Sequence, residues 1–221
     1  NITGANTFKG GQDFPSVTMA SGILRLLNPA ALGTNGIKVA LGNNGQVQLE
    51  GINHRFTQLS GNALSRVVNA AASSATLTLD LEQNQTFAGQ LDNGGGGGLL
   101  NLTKSGPGRL TLTGTQSGFS GVVRIDDGVI DVRNMPFSGV VSSLGTGGNG
   151  AASRLILNGG ALSFSPTVQQ RTDRSFTLGA GPNGGTLVAN GANRAASVTM
   201  GVNFILFDEL VASDTIGFEG N

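Results

Sequence analysis

The chain has 221 residues, of which 37 are glycine and only 12% are charged, with 13 Lys plus Arg balancing 13 Asp plus Glu. The glycines follow no Gly-X-Y period, and 38% of residues are hydrophobic, so collagen and intrinsic disorder are both excluded. Neutral balance argues against nucleic acid as a partner, and no apolar run reaches the ~18 residues a spanning helix requires, so no membrane insertion by this segment is expected.

In chain order, period-two alternation dominates. It runs through Ile23-Leu24-Arg25-Leu26, Ile37 to Leu41, Gln46 to Leu49, Thr76 to Leu81, Leu99 to Lys104 and Arg109 to Thr113. It resumes at Val122 to Val132, Leu155 to Leu157, Ala161 to Phe164, Phe176 to Leu178, Thr186 to Val188 and Val198 to Met200. Such alternation puts Leu, Val and Ile on one face and Thr, Gln and Arg on the other. Helical periodicity is confined to Leu64 to Ala72 and Asn28 to Leu32, both short. The class read from this pattern is all-β.

Asn-Gly occurs seven times, beginning at Asn35, Asn44, Asn93, Asn149, Asn158, Asn183 and Asn190, and supplies positive φ at corners. The same dipeptide is a hairpin signal, so an antiparallel sandwich competes with a solenoid. Strand shortness and a recurring Gly-x-(Leu/Ile/Val)-x-(Leu/Val), starting at Gly22, Gly45, Gly108 and Gly128, favour the solenoid. The long interval between Gly45 and Gly108 is read as coils with degenerate motifs. At about 20 to 25 residues and ~4.8 Å per coil, the expectation is a rod on the order of 40–50 Å long.

Leu102 to Gly114 reads Leu-Thr-Lys-Ser-Gly-Pro-Gly-Arg-Leu-Thr-Leu-Thr-Gly, followed by Gly118-Phe119-Ser120-Gly121 and the closing strand Gly128-Val129-Ile130. This resembles the passenger-associated transport repeat, also called the autotransporter-associated β-strand repeat. Its structural positions here are Lys104, Gly106, Gly108, Leu110, Leu112, Gly114, Phe119, Gly121 and Gly128. Ile2 to Leu26 resembles the second half of another copy, and Thr86 to Leu91 the strand that precedes a full one. The resemblance implies a right-handed parallel β-helix belonging to a bacterial surface or secreted passenger. Residues 1–138 then form coils with two repeat copies, one partial, and 139–221 a continuing helix or divergent coils.

The chain begins partway through a repeat unit and is expected to be a piece of something longer. It shows no series of ~10-residue strands with aromatic girdles, so an export barrel is expected outside it. Absence of cysteine suits passage through an oxidising periplasm.

Chemical motifs are sparse. His54 is the single histidine, with no nucleophile elbow or cysteine, and is read as a coil-corner residue. Asp126 and Asp127 could suggest glycoside or polyuronate chemistry, yet they align with Ala20-Ser21 and are read as turn solvation. Asp208, Glu209, Asp214 and Glu219 lack any calcium-loop pattern, and Gly94 to Gly98 reads as a mobile loop tip. No catalytic residue, metal ligand or cofactor is expected. Without Trp or Tyr, sugar recognition is disfavoured, and Phe8, Phe87 and Phe119, at equivalent turns, are expected to form an internal ladder. Arg171 and Arg174 read as exposed turn charge.

Phe204-Ile205-Leu206-Phe207 is the most apolar run, read as a buried final coil or an end-to-end contact with another copy. The function expected is a non-catalytic extracellular stalk or adhesive surface, secreted or on the bacterial cell. Its ligand on a host or cell surface would be carried by the loops Asn62 to Ser74, Gly94 to Gly98 and Pro136 to Ala152. The alternatives are a self-assembling filament or surface-layer subunit, and a β-helix polysaccharide lyase or hydrolase.

Overall fold

The computed structural model describes residues 5–8, 16–33, 35–147, 155–166, 172–178, 184–189 and 215–218. Among them there is no helix. The chain opens with β1 (Ala5–Phe8), then β2 (Ser16–Met19) and β3 (Gly22–Leu26), then β4 (Ile37–Leu41) and β5 (Gly45–Gln48). Next come β6 (His54–Gly61) and β7 (Arg66–Val68), followed by β8 (Ala75–Asp80), β9 (Gln85–Phe87) and β10 (Gln90–Asp92). The repeat region supplies β11 (Leu100–Ser105), β12 (Arg109–Leu112), β13 (Val123–Ile125) and β14 (Val129–Val132). Beyond it lie β15 (Leu155–Leu157), β16 (Ala161–Phe164), β17 (Phe176–Leu178), β18 (Gly185–Ala189) and β19 (Thr215–Phe218).

Every strand pairing up to β18 is parallel, and β18–β19 is the one antiparallel pair among the described strands. The fold is a β-solenoid of about seven turns. Three parallel ladders form its faces. The first climbs from β6 through β8, β11, β13 and β15 to β17, and the second through β9, β12, β14 and β16 to β18. The third holds β1, β3, β5, β7 and β10. The long β6 bends from the first face to the second, pairing β8 with His54 to Phe56 and touching β9 at Gly61.

Inward positions stack like on like. Phe56, Leu79, Lys104, Ile125 and Leu157 form one interior column, and Phe87, Leu112, Val132 and Phe164 another. One hydrophobic core runs the length of the stack. Burying a Leu or Phe in such a column contributes roughly 1.5–3 kcal/mol. Parallel pairing has a further requirement: each strand must be reached by a crossover, so the described Asn-Gly dipeptides, at Asn35, Asn44, Asn93 and Asn158, act as corners and not as hairpins. Asn44 takes φ 58° there.

Four sequence expectations change. Leu64 to Ala72 carries strand β7 between turns, because its ladder partners β5 and β10 override weak helical periodicity, and Asn28 to Leu32 is a turn. The four Gly-x-Leu-type motifs belong to two faces. Gly22 pairs with Gly45 on the third, whereas Gly108 and Gly128 precede the paired β12 and β14 on the second. The alignment of Ala20-Ser21 with Asp126-Asp127 therefore matches local corner geometry on different faces. Third, one turn is longer than the 20 to 25 residues expected. Leu100 stands over Ala75 and Arg109 under Val129, but Leu155 stands over Val123, 32 residues on, because residues 133–147 bulge out as a lobe.

Fourth, Phe87 and Phe119 are both buried, but they do not share a ladder. Phe87 stacks between Gly61 and Leu112 on the second face, while the Phe119 N–H donates to Leu91 O (3.2 Å) on the third. Phe8 lies in β1 opposite Leu26. Val198 to Met200 falls outside the described residues.

Candidate functional site

Exposed polar side chains on the third face originate in the alternation of β5, β7 and β10. Val47, Val67 and Leu91 point inward, and the register sets Arg66 between Gln46 and Gln90, and Val68 between Gln48 and Asp92. After β7 and β10 the chain turns through Asn69 and Asn93. The Asn69 carboxamide accepts from Gly51 N (2.9 Å) and donates to Ser73 O (2.8 Å) and Leu99 O (3.1 Å), tying three successive turns. Asn93 does the same one turn later, accepting from Leu100 N (2.9 Å) and donating to Ser120 Oγ (2.8 Å). These corners hold the loop of residues 94–98 against that of 69–73 as a raised wall.

Between wall and strands lies a groove of about 590 Å³, lined by Gln46, Gln48, Arg66, Val68, Ala70, Asp92, Asn93, Gly94, Gly95 and Gly118. Asp92 Oδ2 accepts from Arg66 Nη2 (2.6 Å) and Nε (3.1 Å), and its Oδ1 accepts from Gly118 N (3.0 Å). The carboxamides of Gln46 and Gln48 have no hydrogen-bond partner among the described residues. None of these strand residues was singled out from the sequence. A two-residue alternation of polar groups is common to every strand, and only the register shows which of them share a concavity.

Three of the five glycines, Gly94, Gly96 and Gly98, lie against the loop of the preceding turn, which the reading as a loop tip did not anticipate. A Cβ on Gly96 would strike Ala70 O, and one on Gly98 would strike Ser73 O, whereas Gly95 and Gly97 face open space. Gly98 N donates to Ala71 O (3.0 Å). The run is glycine because two loop backbones lie directly one on the other.

The repeat positions build corners and core. Leu110 and Leu112 point into the core from β12. Gly106, Gly108, Gly114 and Gly121 each lie against the backbone of the preceding turn, at Leu81, Gln83, Gly89 and Leu100. Gly128 rests on Gly106 and Gly108 with φ +65°. Lys104 occupies an interior slot that is Leu79 below and Ile125 above. Its ammonium donates to Ser105 O (2.7 Å), Gly106 O (2.6 Å) and Asp127 O (3.3 Å), closing the corner between the first and second faces. Burial pushes its pKa down to about 8, against the pull of Asp127, Asp80 and Glu82.

Arg174 is not exposed turn charge. It is buried, donating from Nε to Pro136 O (3.1 Å), from Nη1 to Leu144 O (3.3 Å), and from Nη2 to Val140 O (3.0 Å) and Gly145 O (2.8 Å). Burial lowers its pKa to about 10, opposed by Asp173. The guanidinium thereby freezes the lobe of residues 136–147, on whose surface Phe137, Val140 and Val141 stay exposed. Arg171 and the run Phe204-Ile205-Leu206-Phe207 lie outside the described residues, as do Asp208, Glu209, Asp214 and Glu219.

His54 opens strand β6 and faces inward at 6% exposure, so it is a core residue and not a corner one. Its Nε2 has no partner among the described residues, and desolvation lowers its pKa to about 4, opposed by a hydrogen bond with the Leu26 backbone. It borders a cavity of about 150 Å³ with Pro29, Leu32, Gly33 and Phe56. The acids are largely engaged in joining turns. Arg25 meets Glu50, Arg55 meets Asp80, Arg66 meets Asp92 and Arg109 meets Asp131. Asp126 Oδ1 accepts from Arg124 Nε and Asn158 Nδ2 (both 2.6 Å), and Asp127 Oδ1 accepts from Gly128 N (2.7 Å). Among the described residues no three His, Cys, Asp or Glu side chains gather as a metal site.

The chain is similar to the adhesin BmaC autotransporter of Brucella suis biovar 1 (strain 1330), 31% identical over 182 residues. The match takes in 81% of this chain, which spans about 5% of the length of that protein. No family model matches the chain, and no solved structure matches it.

Proposed function

We propose that the chain is a non-catalytic, adhesin-type passenger segment of a bacterial autotransporter, exported to the cell surface or secreted, and that its transport repeats are those read in Leu102 to Ile130. The similarity to an autotransporter adhesin across four-fifths of the chain carries this reading. The architecture is suited to it. A solenoid buries its chemistry in a continuous core and offers only its outer faces and loops to a partner. Lys104 and the asparagine corners spend their polar groups on holding turns together. The groove on the third face, with its wall of residues 94–98, supplies a rigid concavity that adhesion can use.

Each completed turn also presents a ready ladder for the next, which suits folding that proceeds as a chain emerges from a membrane pore. The test is direct: beads coated with the purified chain, incubated with cultured animal cells. Saturable adherence that soluble chain competes away is expected. Adherence no better than that of albumin-coated beads refutes the reading. The non-catalytic part has its own test, a turnover screen on acidic polysaccharides. Turnover abolished by Asp126→Asn or Asp127→Asn would overturn it.

A further inference from the structure

We propose that the groove over β5, β7 and β10 receives an extended, uncharged polypeptide segment, and that Gln46 and Gln48 hydrogen-bond its backbone. The inference rests on the adhesin reading and names the chemistry of its ligand. Two features of the groove set that chemistry.

The first is the pair of unengaged carboxamides. Gln46 and Gln48 stand two residues apart on the same face of β5, so their side chains leave the sheet about 7 Å apart. An extended peptide repeats its N–H and C=O groups along one edge at that same interval. A carboxamide carries both a donor and an acceptor, so each can satisfy one peptide group of the incoming chain. Two such groups left with no partner among the described residues, side by side in a concavity, match a ligand whose polar groups are regularly spaced.

The second is charge. Arg66 and Asp92 neutralise each other inside the groove at 2.6 Å, and no further ionised side chain lines it. An acidic polysaccharide or a strongly basic peptide finds no net field there. The lining contains no aromatic ring on which a sugar could stack, while Val68 and Ala70 give a small apolar floor. The glycine wall adds clearance. Gly95 has no atom within 4 Å of a Cβ position, so a peptide backbone can approach it closely.

The experiment pans a phage-displayed random dodecapeptide library against the immobilised chain, with a neutral-glycan array run alongside. The strongest selected peptide is then measured in solution against wild type, Gln46→Ala/Gln48→Ala and Gly95→Leu. Gly95 lines the groove and a Cβ there meets no atom within 4 Å, so Gly95→Leu adds bulk at the groove where the fold has room, and one variant can stand if the other misfolds. The expected result is at least a tenfold loss of affinity in each variant, and a comparable loss when alternate backbone nitrogens of the peptide are methylated. Selected peptides indifferent to the variants, indifference to N-methylation, an absence of selected peptides, or binding on the glycan array alone would each overturn the proposal. The bead assay separates the two levels. Beads bearing Gly95→Leu that adhere as well as wild type, together with a negative peptide result, leave adhesion standing and remove the groove. Wild-type beads that fail to adhere remove the adhesin reading itself.

Discussion

Replacing alternate glycines in the run Gly94 to Gly98 should have opposite consequences, and the geometry fixes which. At Gly96 an added methyl falls on Ala70 O and the Ala71 backbone, well inside the 3.0 Å that real Cβ contacts essentially never breach. Those atoms belong to a loop pinned by Asn69, so they cannot swing aside as a flexible side chain would. Gly96→Ala therefore has to lift one loop off the other, at a cost of ~1–3 kcal/mol, the range for overpacking a filled site. At Gly95 the same methyl meets nothing within 4 Å. Gly95→Ala should be neutral or stabilise by up to about 1 kcal/mol, because alanine narrows the unfolded ensemble.

Urea denaturation of the two variants reads the difference. With a slope of ~1–3 kcal/mol/M, Gly96→Ala should lower the midpoint by about 1 M relative to Gly95→Ala. Solenoids can open locally, so amide exchange gives the sharper readout. The Gly98 N–H, which bonds Ala71 O, should exchange about 10–100-fold faster in Gly96→Ala and unchanged in Gly95→Ala. Equal effects at the two positions would refute the stacked-loop argument and return the run to a freely moving tip.

Three further outcomes follow from the buried ionisable groups. The His54 pKa falls from 6.5 to about 4 on folding, so the unfolded chain binds more protons between those values and acidification through that window destabilises the fold. The loss should total on the order of 3 kcal/mol by pH 4 and be blunted in His54→Leu, measured by thermal melts across pH. Lys104→Met removes the ammonium donor from three corner carbonyls, of which Ser105 O keeps its bond from Leu81 N, and should cost ~1–3 kcal/mol. Because the Lys104 pKa also falls on folding, from 10.5 to about 8, wild-type stability should gain over that interval relative to the variant. Arg174→Lys keeps a charge but cannot reach four carbonyls at once. Limited proteolysis should then cut within residues 136–147 at least several-fold faster, with the rest of the stack intact.

Much of the fold was written in local pattern. Alternation at Ile37 to Leu41, Leu155 to Leu157, Ala161 to Phe164 and Phe176 to Leu178 gives strand positions and their inward faces directly, because a strand's side-chain period depends only on backbone geometry. The run Leu102 to Gly114 likewise fixes a strand, a glycine corner and a second strand. The groups that decide the candidate site were not legible in this way. Gln46, Arg66 and Asp92 lie up to 46 positions apart and become neighbours only when turns of unequal length stack in register. The same holds for the polar core. Lys104 reads as a structural repeat position, but its interior slot and its bond to Asp127 O of the next turn, like the carbonyl cage around Arg174, appear only once the turns stack. Sequence by itself determined that this chain would alternate, turn on glycine and asparagine, and fold as strands. Tertiary structure alone decided which turn lies on which, since parallel register is set by packing across ~20–30 residues of chain and not by any residue's own preference.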